Sequence, residues 1–305
     1  MPDLVSVIIP ACNRWPMLRE AVESVLAQSY RDFEIVVVDD GSEDGTAEKL
    51  PARYGSAVRV VAQAWRGVAA ARNLGVRCSR GAYLAFLDSD DLWQRRKLEI
   101  QTGFMRRAPD CRICQTEEVW IRNGVRVNPR IKHRKPSGDI FRRSLELCLV
   151  SPSAVLMTRD LFTATGGFDE SFLVCEDYDL WLRIAADHPV HLIREPLVIK
   201  RGGHADQLSR STWGLDRFRV RAIKKLLESG LRGEKRRWAI ETMARKVEVL
   251  AQGARKRLRE REALQYQALL TDFIGELDHD RSANPGLLPA QGLSRANATA
   301  LAQVE

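Results

Sequence analysis

Two short runs, Val5-Ser6-Val7-Ile8-Ile9-Pro10 and Phe33-Glu34-Ile35-Val36-Val37-Val38-Asp39-Asp40, are β-branched, apolar and followed by turn-forming residues, the pattern of buried strands. Between them Leu18, Ala21, Val22, Val25 and Leu26 recur at helical spacing, with Pro16 near the start, so the unit reads β-α-β. Val58 to Val61, a helix around Val68 to Val76, and Tyr83 to Leu87 continue the alternation. Such a chain is constrained to an α/β architecture, a mostly parallel central sheet flanked by helices. Ligands of these sheets bind beyond the carboxyl ends of the strands. Those ends carry Pro10 to Asn13, Asp39-Asp40-Gly41-Ser42 and Asp88 to Asp91.

The third end is the most acidic. Tyr83-Leu84-Ala85-Phe86-Leu87 runs into Asp88-Ser89-Asp90-Asp91 with nothing basic between. Side chains at i and i+2 share a face of a strand, so Asp88 and Asp90 can point into one crevice while Ser89 turns away. Carboxylate oxygens on a partly open site suit Mg²⁺ or Mn²⁺, which complete their shells with water and substrate phosphate. The competing reading is a surface loop whose Asp91 caps the next helix.

Taken in order, Val-Ile-Ile-Pro-Ala-Cys-Asn-Arg at the start, Val-Val-Val-Asp-Asp-Gly-Ser, Gly67 with Ala71-Arg72-Asn73-Leu74-Gly75, Asp88-Ser89-Asp90, and Cys175-Glu176-Asp177-Tyr178 resemble family 2 glycosyltransferases with the GT-A fold. The match covers about the first two hundred residues. The resemblance implies an inverting enzyme that moves a sugar from a nucleoside diphosphate, with uracil the expected base, to an acceptor hydroxyl. It makes Pro10, Asn13, Asp40, Arg72, Asp88 and Ser89 donor-nucleotide contacts, with Asp40 facing the base and Asp88 the ribose. It puts Asp90 on a Mn²⁺ or Mg²⁺ ion, the second carboxylate of a D-x-D motif, and His204 on the metal shell or the diphosphate. Asp177 becomes the base that deprotonates the acceptor, with Glu176 and Trp181 binding or orienting it.

Each assignment has a plainer competitor. Arg72 sits among small residues early in a helix, where an arginine is often an ion-pair partner. Glu176 and Asp177 open a helix whose Leu180, Trp181, Ile184 and Ala185 form an apolar stripe, and acidic residues favour a first helical turn in any case. Their mutual repulsion could equally raise one pKa into the range useful for a base. His204 lies in Arg201-Gly202-Gly203-His204-Ala205-Asp206, where a solvated loop histidine is the alternative. Ser151 to Met157 reads as another strand, and Gly166-Gly167 as a turn where something approaches closely. No Gln-x-x-Arg-Trp motif of the processive members is present, which the resemblance translates into transfer of a single sugar.

The organisation expected is a catalytic domain over 1–212, with a nucleotide half to about 110 and an acceptor half after it. A basic helical appendage over 213–280 and a loosely ordered tail over 281–305 follow. The net charge of +8 in 305 residues is concentrated from Leu215 to Glu262, where Phe218, Ala222, Ile223, Leu226, Ile240, Met243, Val247 and Leu250 recur at intervals of three and four. These helices either pack with a solvated basic face or present it to anionic lipid, bringing the enzyme to a glycan or lipid-linked acceptor. Arg130 to Lys135 is a second basic run, open to an anionic acceptor or to solvent. No run of about eighteen apolar residues and no leader pattern occurs, so a cytoplasmic protein is expected, peripheral at the inner face of the membrane at most. Six scattered cysteines read as reduced thiols, and Cys111-Arg112-Ile113-Cys114 lacks a second ligand pair for zinc. A sugar-phosphate nucleotidyltransferase would carry a glycine-rich loop where Ala11-Cys12-Asn13-Arg14-Trp15 stands. A nucleic-acid ligand would be repelled by the carboxylate-lined crevice, so none is expected.

Overall fold

The computed structural model describes residues 3–203, 212–273 and 275, in two compact units, Met1–Trp213 and Gly214–Glu305. In the first, β1 (Val5–Ala11), α1 (Trp15–Leu26), β2 (Phe33–Asp40), α2 (Thr46–Tyr54), β3 (Arg59–Gln63), α3 (Val68–Arg77) and β4 (Tyr83–Phe86) follow one another. After them come β5 (Leu92–Trp93), α4 (Lys97–Arg107), β6 (Ile113–Arg122), β7 (Val125–Val127), α5 (Phe141–Ser144), β8 (Val155–Thr158), α6 (Arg159–Ala164), α7 (Glu176–Asp187) and β9 (His191–Gly202). All nine strands join one sheet, in the order β3-β2-β1-β4-β8-β6-β9-β5 with β7 on β6.

Parallel pairing holds β3, β2, β1 and β4 together. Beyond β4 the sheet turns mixed, because β8 runs antiparallel to both β4 and β6 while β9 pairs parallel with β6. The parallel half is what β-branched runs and helical crossovers build, and β1 is buried along its whole length. Helix α3 approaches β1 and β2 closely at Gly75, where a Cβ would lie 2.4 Å from Ile8 Cγ2. At the end of β2, Gly41 adopts φ +75°, and a Cβ there would meet the Trp65 amide nitrogen at 2.9 Å.

The stretch expected as a strand from Ser151 divides in two. Pro152–Ala154 is a 3₁₀ turn and only Val155–Thr158 is extended, because the chain folds under the acidic loop there. Asp91 caps no helix; β5 follows it directly, and α4 begins at Lys97.

The second unit is helical, Leu215–Glu228, Gly233–Lys256 and Glu260–Ala268. Its apolar stripes, including Val220, Ile223 and Leu226 on the first helix and Ile240, Met243 and Val247 on the second, are buried. Lys246 Nζ reaches Asp216 Oδ1 at 3.1 Å and ties those two helices. The tail expected over 281–305 falls outside the described residues. Among the described residues no helix is long and apolar enough to cross a membrane.

Candidate functional site

The loops after β1 and β2 are tied into one wall. The Asn13 amide donates to Ser42 Oγ at 2.9 Å, the Glu43 amide to Asn13 Oδ1 at 2.7 Å, and the Trp15 amide to Asp44 Oδ2 at 2.9 Å. Asn13 adopts φ +53°, a conformation asparagine tolerates better than most residues. Pro10 is buried in β1 opposite Val38. Asp40, 4% exposed, accepts from Gln63 Nε2 and from the Arg66 and Gly67 amides at 2.7–2.9 Å. Its carboxylate therefore orders the turn that leads into α3.

After β4 the chain doubles back on itself. The Asp91 amide donates to the Asp88 carbonyl, and ligand oxygens of Asp88, Asp90 and Asp91 come within 4.8 Å of one another. Ser89 is buried between them in sequence. Ser153 supports this loop from the 3₁₀ turn, its hydroxyl donating to Asp91 Oδ2 at 2.7 Å and accepting from the Asp88 amide at 3.1 Å. Arg201 closes the other side, its amide donating to Asp91 Oδ1 at 2.9 Å and its Nε to the Asp90 carbonyl. Arg14 Nη1 pairs with Asp90 Oδ2 at 2.7 Å. Burial pushes the Asp91 carboxyl up to about 8, with Asp88 and Asp90 adding to the rise and Lys200 opposing it.

Arg72 joins this cluster to the acceptor half. It is 3% exposed, with Nη2 donating to Asp88 Oδ1 at 2.7 Å and Nη1 to Glu176 Oε1 at 2.6 Å. Its guanidinium lies over the Phe168 ring, 5.1 Å from the centroid. Burial alone would favour the neutral guanidine, yet Asp88 and Glu176 hold it protonated more firmly than usual. Arg72 also lowers the Asp88 carboxyl against the effect of burial. Glu176 is pushed up to about 7, first by burial and then by Asp177, with Arg72 pulling the other way.

Cys175 precedes the pair in a left-handed conformation, φ +62°, that starts α7 abruptly. Asp177 Oδ1 accepts from the Tyr178 amide at 2.7 Å and Oδ2 from the Cys148 thiol at 3.3 Å. Asp177 lines a cavity of about 490 Å³ that also meets Lys200, Trp120, Arg130 and Arg134. Lys200 Nζ bonds Ser151 Oγ at 3.0 Å. Burial works against its charge, but Glu118, Asp91, Asp88 and Asp177 more than restore it. Trp181 stands apart from this wall, 2% exposed and edge-on to Phe168 in the core. His204 lies outside the described residues.

Sequence reasoning passed over Asp91 as a ligand, and missed Arg14, Cys148, Ser153 and Lys200. Only Asp91 carried a local signal, its place in an acidic run. Arg14 closes the opening Val-Ile-Ile-Pro-Ala-Cys-Asn-Arg run but was given no role, and Cys148, Ser153 and Lys200 come from distant segments with no motif of their own. The oxygen donors of Asp88, Asp90 and Asp91 are the hard ligands that Mg²⁺ or Mn²⁺ prefers, so the residues fit such an ion, with Asp91 buried and Asp88 and Asp90 half-buried.

Residues 6–164 match the sequence model of glycosyl transferase family 2. An uncharacterized glycosyltransferase of Rickettsia felis is 30% identical over 219 residues, 68% of this chain and 35% of that protein. The UDP-Glc:alpha-D-GlcNAc-diphosphoundecaprenol beta-1,3-glucosyltransferase WfgD of Escherichia coli is 31% identical over 191 residues, 62% of this chain and 73% of that protein. The chain thus spans between 26% of the Rickettsia bellii relative's length and 66% of the Rickettsia prowazekii relative's. Among solved structures, residues 1–349 of S. aureus TarS in complex with UDP-GlcNAc align with a TM-score of 0.71 at 18% identity, over 88% of this chain and 80% of that one. That likeness is one of fold.

Proposed function

The chain belongs to glycosyl transferase family 2, is a glycosyltransferase with the GT-A fold, and on that premise we propose that it moves a single sugar from a UDP-sugar to an acceptor hydroxyl, with inversion. The observation that carries this reading is the link through Arg72, which binds the acidic loop after β4 to Glu176 beside Asp177. A donor crevice and a base are thereby held against each other. The TarS fragment is described with UDP-GlcNAc, and the E. coli relative's name gives a UDP-glucose donor and a lipid-diphosphate acceptor. Both support a nucleotide donor and a glycan or lipid-linked acceptor for this chain.

In this mechanism Asp40, Pro10 and Asn13 form the nucleotide wall, and Arg72 acts from behind the crevice by holding Asp88 and Glu176. Asp88 and Ser89 border the ribose. Asp90, with Asp88, would hold Mg²⁺ or Mn²⁺, which supplies Lewis-acid neutralisation of the departing diphosphate. Arg14 shares Asp90 and Lys200 adds a fixed positive charge, so the protein itself offsets part of the negative charge gathered at the site. Asp177 takes the acceptor proton as the hydroxyl oxygen attacks the anomeric carbon from the side opposite the nucleotide. Glu176, held by Arg72, anchors the start of the helix that carries Asp177.

Calorimetric titration of UDP with Mn²⁺, repeated with chelator, tests the donor site, and metal-dependent binding is expected. Asp177→Asn should bind UDP as the parent does while transfer falls by about 10²–10⁴-fold, the usual contribution of a positioned base. Transfer at the parental rate removes Asp177 from that role.

A further inference from the structure

We propose that the cavity beside Asp177 receives an acceptor sugar bearing a phosphate on the side away from the reacting hydroxyl, with Arg130 and Arg134 as the phosphate-binding pair. The inference rests on the transferase reading and adds the chemical class of its acceptor.

The cavity's charges fall into two groups by depth. Deep in the wall, Glu118 and Lys135 pair at 2.9 Å with side chains only 3% and 7% exposed. The Glu118 carboxyl is held down at about 2, against burial, by Lys135 and Lys200. Lys200 is likewise surrounded by carboxylates. These charges offset one another, so this part of the lining suits a neutral polyol. Trp120 adds a flat apolar face, with its indole N–H fixed to Glu118 Oε2 at 3.0 Å and its ring 5.6 Å from that of His133. A sugar ring suits such a surface. The volume of about 490 Å³ lies inside the range of about 300–1,000 Å³ typical of small-molecule sites.

The mouth is different. The 3₁₀ turn Ile131–His133 carries Arg130 and Arg134 to the cavity edge and leaves Lys132 out of its lining. The turn's far end is held in place, since Arg143 Nη2 donates to the Arg134 carbonyl at 2.8 Å. Both arginines are exposed, and no carboxylate among the described residues pairs with either side chain. Two guanidinium groups on a fixed turn offer planar, charge-assisted donors matched to phosphate oxygens. An acceptor entering sugar first would bring its hydroxyl to Asp177 and leave its phosphate between Arg130 and Arg134. The shared chemistry is a phosphate ester on the accepting sugar, whether from the diphosphate of a lipid carrier or from the phosphodiester of a polymer.

The test titrates the full chain, its donor side saturated with UDP and Mn²⁺, with octyl glycosides of glucose, galactose and N-acetylglucosamine. The same sugars are then offered joined to the octyl chain through a diphosphate, and joined to glycerol through a phosphodiester. For at least one sugar a phosphorylated form should bind about tenfold or more tightly than its neutral counterpart, and less so at high salt. The double variant Arg130→Gln/Arg134→Gln should lose that preference while binding UDP as before. Preference for the diphosphate identifies a carrier lipid, and preference for the phosphodiester a polymer. The proposal is overturned if no phosphorylated form binds better than its neutral counterpart, or if the double variant keeps the preference. Normal UDP binding in that case leaves the transferase reading standing, whereas absent UDP binding undermines the donor reading itself.

Discussion

Arg72 joins two of the site's carboxylates, Asp88 and Glu176, through one buried guanidinium. Its sequence setting left two readings open, nucleotide contact or ion-pair partner, and the structure places it in a buried ion-pair network with one nitrogen to spare. Replacing it with Gln leaves Asp88 and Glu176 without their cation, and breaking a buried pair in this way costs about 3–5 kcal/mol. Arg72→Gln should therefore lower the thermal midpoint sharply, and Arg72→Lys should recover only part, because one ammonium cannot span both carboxylates in the guanidinium's fork geometry. Scanning calorimetry of the three proteins decides the point; an unchanged midpoint in Arg72→Gln would remove the network from the stability of the fold. Glu176 gives a pH signature of its own. Its carboxyl is raised on folding to about 7, so its contribution to stability is fully present below the unfolded value of about 4.3 and is lost as pH climbs through the folded value. The thermal midpoint of the metal-free protein should fall from about pH 4 to about pH 7 by this linkage and level off above it, and Glu176→Gln should flatten that interval. An identical slope in the variant would assign the titration to another group, with Asp91 the next candidate.

At the scale of elements, the segments that could be read in advance are those whose signal is local. The β-branched runs of β1 and β2 and the spaced apolar residues of α1 declare themselves within a few residues. Helix α3 was legible through Gly67 and the Ala71-to-Gly75 run, and Gly75 has its explanation in the close approach to Ile8 and Val38. Gly75→Ala places a methyl 2.4 Å from Ile8 Cγ2 and 3.1 Å from Val38 Cγ2. Overpacking of that kind costs about 1–3 kcal/mol, which exceeds the gain of about 1 kcal/mol from alanine's helix propensity. A lowered urea midpoint with an unchanged slope is expected; a raised midpoint would mean that α3 can move away from the sheet at no cost. Strand β6 has no counterpart among the strands read from the sequence. Its Gln115, Thr116 and Glu118 are polar residues buried by neighbours from β8, β9 and the basic run. Alternation cannot mark a strand in which Gln115 and Thr116 are buried although polar and Glu118 is paired with Lys135.

For the whole molecule, each described residue assigned to the donor site lies in the first compact unit, Met1–Trp213. A chain ending at Trp213 should therefore bind UDP within about threefold of the full chain, a difference of under 1 kcal/mol. A larger loss, measured by the same calorimetry on a folded fragment, would make the helical unit part of donor binding. The sequence by itself determined the β-α-β architecture, the acidic strand ends that face the ligand side of the sheet, and membership of a glycosyltransferase family, because periodicity and short motifs are local properties of a chain. Only the tertiary structure decided which charges became partners. Arg72 meets Glu176 across 104 residues of sequence, Cys148 comes to Asp177, and the basic run after β7 arrives at the same cavity. The physical reason is that burial strengthens an ion pair and makes an unpaired charge costly, while burial itself depends on how distant loops close over the sheet.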